Sequence, residues 1–382
     1  MRRVHLINFV RKAAVLGAFF LAPLHFLKLG FSGLEIGVIA SGYGLAPLVF
    51  SFPTGWTNDR FSMKRVILAS LLAQSAVLVL IGLAREAWLM AGLFLVFGMA
   101  NNVLDVSINS LYYKNPGGGN PNRKYGTYNF WLSLGPPAGI LAGGALMGLA
   151  GYRALLGVFA GLTLLLAPAL RGLGGERFSI VRIKEYRSIF LKKNVLAFSL
   201  CLFVLALHWG VEGTVYAPFL RSRFGLDDFQ VGLYISLAYL ALAFSSLAVS
   251  RLGFNPERNR RLFLLGMALS GLGLILMVQH DVRMSFLFRV IHEGGDGVLG
   301  ALAVLYISGL FEKRTIGGSA GILTALQTSG QMAGALAFST LGFRAGLQYP
   351  FIIAGALLLA NAAFGLYAVP QERGLGEIPA PA

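Results

Sequence analysis

Apolar stretches of about 20 residues, the length that spans a bilayer as a helix, recur along this chain and set what it can fold into. Twelve lie near residues 7–29, 35–54, 65–84, 88–112, 126–149, 153–170, 194–220, 229–250, 262–279, 284–311, 317–342 and 348–369. With 56% of residues hydrophobic and only 13% charged, these runs are too many and too long for a soluble core. Arg2 and Arg3 precede the first run as in a signal peptide, but no small-residue cleavage site follows it, so it is read as a retained helix. The expected fold class is an all-α membrane protein with twelve transmembrane helices. The 49 glycines fit helices that approach closely in lipid.

The chain also repeats itself at half its length of 382 residues. Arg123, Gly126, Gly139 and Gly143 recur as Arg314, Gly317, Gly330 and Gly334, and Asp105 recurs as Asp296, all at an offset of 191. A basic and a membrane-depth acidic residue matched at one offset point to duplication, hence to two pseudo-symmetric six-helix bundles that rock about a shared centre. The expected divisions are 1–170 and 194–370 for the bundles, 171–193 for a basic linker loop, and 371–382 for a disordered tail rich in Pro, Gly and Ala.

Charge gives the orientation. The net charge of +16 is ascribed to Lys and Arg in cytoplasmic loops and not to nucleic-acid binding. With the N-terminus inside, only Lys28, Arg85, Arg153, Arg221, Arg223, Arg283 and Arg344 fall outside; Arg289 lies within a span, and all other Lys and Arg face the cytoplasm. Both termini are therefore expected in the cytoplasm and the protein in the cytoplasmic (inner) membrane. Arg11 and Lys12 are read as snorkelling to the cytoplasmic interface. Cys201 is the one cysteine, so no disulfide or thiolate site is expected.

Between the second and third spans stands Gly55-Trp56-Thr57-Asn58-Asp59-Arg60-Phe61-Ser62-Met63-Lys64-Arg65. This resembles the signature loop of the major facilitator superfamily, with Gly55, Asp59, Arg60, Lys64 and Arg65 as a gating loop in which Asp59 pairs across the halves. The second half has only Ser250-Arg251 and then Arg258, Arg260 and Arg261, without the acidic member. In the fifth span Leu134-Gly135-Pro136-Pro137-Ala138-Gly139 is similar to an element of drug/proton antiporters. In the fourth, Leu104-Asp105-Val106-Ser107-Ile108-Asn109-Ser110 is similar to fucose-permease-like sugar/proton symporters. The resemblance implies a secondary transporter whose first, fourth, seventh and tenth helices line one pathway.

Ionisable groups at membrane depth are costly and mark function. Asn101, Asn102, Asp105 and Asn109 share about one face of the fourth span, and His208 and Glu212 are a turn apart in the seventh. Arg289, His292, Glu293 and Asp296 form one stripe of the tenth. The carboxylates are candidate proton carriers, the histidines titrate near neutrality, and Arg289 either binds an anion or rigidifies Glu293 and Asp296 as an ion-pair network. The asparagines suit hydroxyl recognition, and Trp209 and Tyr216 suit stacking on a ring. A metal shared by His208, Glu212, His292 and Glu293 is not expected, because adjacent helical residues point apart. Gly117-Gly118-Gly119 lacks the lysine and helix of a phosphate-binding loop, and no enzyme or cofactor signature is present.

The expectation is proton-coupled symport of a polar, sugar-like solute by a monomer, sodium being the other candidate ion. Proton-driven efflux and a non-transporting ligand sensor are the alternatives.

Overall fold

The computed structural model describes residues 2–60, 62–114, 121–171, 193–252, 255–310 and 316–369. The 171–193 linker, apart from its two end residues, and the 371–382 tail lie outside them. The first half contains α1 (Arg2–Lys28), α2 (Gly33–Arg60), α3 (Met63–Leu83) and α4 (Ala87–Lys114). The continuous helical stretch Pro121–Leu164 breaks at Gly151, whose φ of 81° suits a residue without Cβ, and so supplies α5 before the break and α6 after it.

The second half contains α7 (Lys193–Val211), which continues through a π-turn (Glu212–Tyr216) into a final segment, Ala217–Phe224. It is followed by α8 (Asp228–Arg251), α9 (Pro256–Leu276), α10 (Val282–Leu310), α11 (Ile316–Ala345) and α12 (Tyr349–Ala368). Nine described stretches are long and apolar enough to cross a membrane, the Phe130–Leu170 stretch being 41 residues and thus two spans. With α10 and α11, of 29 and 30 residues, the total is the twelve expected from sequence. Among the described residues the protein is all-α.

The duplicated glycines explain how each half packs. A Cβ on Gly139 would overlap the Ala13 carbonyl of α1, and one on Gly330 or Gly334 would overlap the Phe203 or Leu207 carbonyl of α7. The repeat therefore preserves one contact, the first helix of each half lying backbone-to-backbone on the fifth. The halves meet through α5 on α8 and α2 on α11. At the first crossing Gly144 and Gly232 face each other with no room for a side chain, and Ser236 Oγ donates to Pro137 O at 2.7 Å.

These crossings continue toward the end that carries the short turns 29–32, 225–227 and 346–348. There Ser339 Oγ donates to Gly33 O at 2.6 Å, and Lys28 reaches Asp228 of the opposite half at 3.1 Å. Asp228 also takes Arg221 at 2.5 Å and sits in the first turn of α8, where the helix dipole favours a carboxylate. These contacts tie the two halves together at that end.

Candidate functional site

In the first half, α1 and α4 build a cluster around Asp105. Arg11 is fully buried and its Nη2 lies 2.6 Å from Asp105 Oδ1, while Lys12 Nζ lies 3.0 Å from Oδ2. Neither side chain snorkels. The lipid-interface reading of these two residues is thus corrected: helical phase turns both toward α4, where a buried carboxylate holds them. Asn8 Oδ1 accepts from Arg11 Nε and Nη2, and Asn101 Nδ2 donates both to Asp105 Oδ2 and to Tyr43 Oη, each at 3.0 Å.

In the second half, α7, α9 and α10 bring a larger set of polar side chains together. Arg289, fully buried, pairs with Glu212 and with Glu293 Oε1 at 2.5 Å, not with Asp296. Its guanidinium lies 4.1 Å over the Tyr216 ring, so that fully buried ring carries the arginine. Asp296 accepts from Ser270 Oγ at 2.6 Å and from Trp209 Nε1 at 3.3 Å, and faces His208 Nε2 at 2.8 Å. His292 Nε2 faces Glu212 Oε1 at 3.0 Å.

The partners of the two imidazoles assign their protons. His208 Nδ1 meets the Leu205 carbonyl, and His292 Nδ1 meets the Ser270 carbonyl and Ser270 Oγ, both at 2.9 Å; a carbonyl has no hydrogen to give and the Ser270 hydroxyl gives its own to Asp296, so both Nδ1 atoms are assigned as donors. Each Nε2 then faces a carboxylate oxygen, and two lone pairs do not rest at 2.8 Å and 3.0 Å without a hydrogen between them. One proton therefore sits in each histidine–carboxylate pair. With Arg289 and those two protons set against Glu212, Glu293 and Asp296, the cluster sums to zero charge.

The π-turn positions Glu212. Pro218 has no N–H for the carbonyl four residues back, and a π-turn, frequent where a helix carries function, re-registers the backbone just before it. This turn also abuts the first half: a Cβ on Gly213 would overlap the Phe19 ring, and Phe19 packs on Tyr43 with centroids 4.8 Å apart. A contiguous path thus runs from Asp105 through Asn101, Tyr43 and Phe19 to the backbone beside Glu212.

Other expected residues lie elsewhere. Asn102 accepts from Ser51 Oγ at 3.0 Å and so ties α4 to α2. Asn109 is in α4, and Gly55, Asp59 and Arg60 are in the last turns of α2; their side chains lie outside the described set, so the cross-half pairing of Asp59 does too. Lys64 and Arg65 open α3 and are exposed. The donors of His208, Glu212 and His292 lie within 4.8 Å of one another, close enough to hold a metal. Glu212 Oε1 already carries the Arg289 guanidinium, however, and a divalent ion there would press against a fixed cation.

The sequence profile of the Major Facilitator Superfamily matches residues 5–262 and again 198–382. The uncharacterised MFS-type transporter YfkF of Bacillus subtilis is 27% identical over 78 residues, a fifth of either chain. Among solved structures, the nucleoside transporter NupG superposes with a TM-score of 0.75 at 14% identity, over 97% of this chain and 99% of its own. A bacterial homologue of the human lysosomal transporter Spinster, inward-facing and occupied, gives 0.79 at 16% identity over 96% and 95%. The human organic anion transporter MFSD10 gives 0.67 at 18% over 95% and 99%. A multi-pass fold built for secondary transport by alternating access is what these proteins share with it, and the chain belongs to the Major Facilitator Superfamily.

Proposed function

We propose that this protein couples the entry of a small polar solute to protons in the cytoplasmic membrane, with both termini on the cytoplasmic side. The observation that carries this reading is the pair of histidine–carboxylate contacts, each holding one proton in a cluster that is buried except at Asp296, which is partly exposed, and whose charges balance only with both protons in place. Loss of either proton leaves a net negative charge in a poorly solvated site, so loading and release have large electrostatic consequences as access alternates. Asp105 and Asp296, the matched aspartates of the repeat, each accept from two consecutive residues of their half's first helix: Arg11 and Lys12, or His208 and Trp209. Only the second of these pairs includes an imidazole, which gains and gives up a proton far more readily than a lysine or arginine, and the coupling is assigned to that half.

The test uses the purified protein in proteoliposomes enclosing a pH-sensitive dye, with a panel of monosaccharides, nucleosides and sugar acids added outside. Symport predicts that a panel member entering the vesicles carries protons in, acidifying the interior. Proton exit on solute entry would assign antiport instead. Solute accumulation with no proton movement, or no flux for any member, would overturn the proposal.

A further inference from the structure

We infer that the transported solute carries one singly charged acidic group, a carboxylate, which the first half recognises through Lys12. The inference rests on the transport reading above and names the substrate class for it. Around Asp105 the two cations Arg11 and Lys12 share a single carboxylate, so among the described residues this cluster keeps one positive charge in excess. Hydrogen-bond donors are in excess as well. Among the described residues Lys12 Nζ has three hydrogens and one acceptor, Asp105 Oδ2, and the buried Asn8 Nδ2 has none. The acceptors of these side chains are already engaged among the described residues: Asn8 Oδ1 takes two guanidinium hydrogens, Asp105 takes Arg11, Lys12 and Asn101, and Asn101 Oδ1 faces Arg11 Nη1 at 3.4 Å.

A ligand that completes this wall must bring negative charge and acceptor oxygens together, which describes an anionic oxygen group and not a neutral hydroxyl. Access is available at the right atoms. The Lys12 and Asp105 side chains are 18% and 27% exposed, while Arg11 behind them is fully buried. Lys12 therefore meets the anion, and Arg11 and Asn8 hold the wall behind it.

The same charge count fixes the stoichiometry. An anion on the first cluster brings it to zero, and the second cluster is at zero with both protons bound, so the loaded carrier is neutral at both. When the anion and one proton leave, the first cluster returns to one positive charge and the second falls to one negative charge, and the empty carrier is neutral in sum. One monoanion moving with one proton is thus electroneutral in both directions, whereas a neutral solute with a proton would move charge.

The experiment compares acid and neutral twins (gluconate with glucose, galacturonate with galactose) as thermal stabilisers of the full chain in detergent at constant ionic strength. At least one acid is expected to stabilise well beyond its twin. Lys12→Gln is expected to weaken that acid at least tenfold, and Lys12→Arg, which keeps the charge, to retain most of its binding. Equal stabilisation by each pair of twins, or an acid preference that survives Lys12→Gln, overturns the inference. In proteoliposomes the preferred acid is expected to enter at a rate unchanged by a potassium–valinomycin potential, and a potential-driven rate would also overturn it. Because the detergent measurement involves no gradient, an absence of proton coupling leaves its result intact and is distinguished from it.

Discussion

Replacing Arg289 with methionine is expected to cost the folded protein about 3–5 kcal/mol, the range for removing one partner of a buried ion pair. Glu212 and Glu293 both lean on this one guanidinium, and all three side chains are essentially excluded from solvent. Methionine of similar length fills the space but leaves two carboxylates facing each other across it, with only the two imidazoles, His292 and the more distant His208, beside Glu212 among the described residues. Thermal unfolding of the detergent-purified variant should show a large drop in stability or a failure to accumulate folded protein. Adding Glu293→Gln to the same chain removes one of the stranded charges and should recover part of the loss. Equal stability of the Arg289→Met variant and the unaltered protein would mean that the cluster carries no structural energy.

Glu212→Gln is expected to abolish accumulation while leaving downhill exchange of solute. The amide keeps the size of the side chain and one acceptor oxygen, so Arg289 and His292 retain a neighbour, but it cannot release a proton. Each coupled proton is worth about tenfold in solute accumulation per unit of pH gradient. The variant should therefore equilibrate its solute across the membrane under a one-unit gradient, where the unaltered protein concentrates it about tenfold. Accumulation that persists in the variant would place coupling at a different residue.

Much of this architecture is legible in the residues themselves, because lipid imposes a simple rule on backbone and length. The twelve spans follow from apolar runs, and the offset between Gly139 and Gly330 marks a helix contact that the structure then displays. The stripe Arg289, His292, Glu293 and Asp296 is visible at helical spacing, but spacing does not say which neighbour each residue meets. Arg289 turns to Glu212 and Glu293 and leaves Asp296 to His208, a division set by the packing of α7 and α9 against α10.

Two features were hidden for physical reasons. Arg11 and Lys12 stand near the N-terminus in a chain whose basic residues crowd one side, so a positive-inside rule accounts for them before any partner is sought. Their partner Asp105 lies some ninety residues away, and only the shared depth of the two helices joins them. The π-turn at Glu212–Tyr216 is hidden because an added residue in one helical turn leaves no mark in an apolar sequence. Pro218 was its one visible sign, and Pro23, which sits inside α1 without a π-turn, shows that proline alone does not decide it.

The central claim, that each histidine–carboxylate pair of the second half holds one exchangeable proton, is tested most directly by nitrogen NMR of protein labelled with 15N-histidine. Only five histidines are present, and His208 and His292 are assigned by comparison with His208→Asn and His292→Asn. The account predicts that both rings carry a hydrogen on Nδ1 at every pH. It also predicts that each Nε2 shares a proton with its carboxylate in the resting state. A resting spectrum in which Nδ1 of either ring is the bare nitrogen and Nε2 alone is protonated would contradict it.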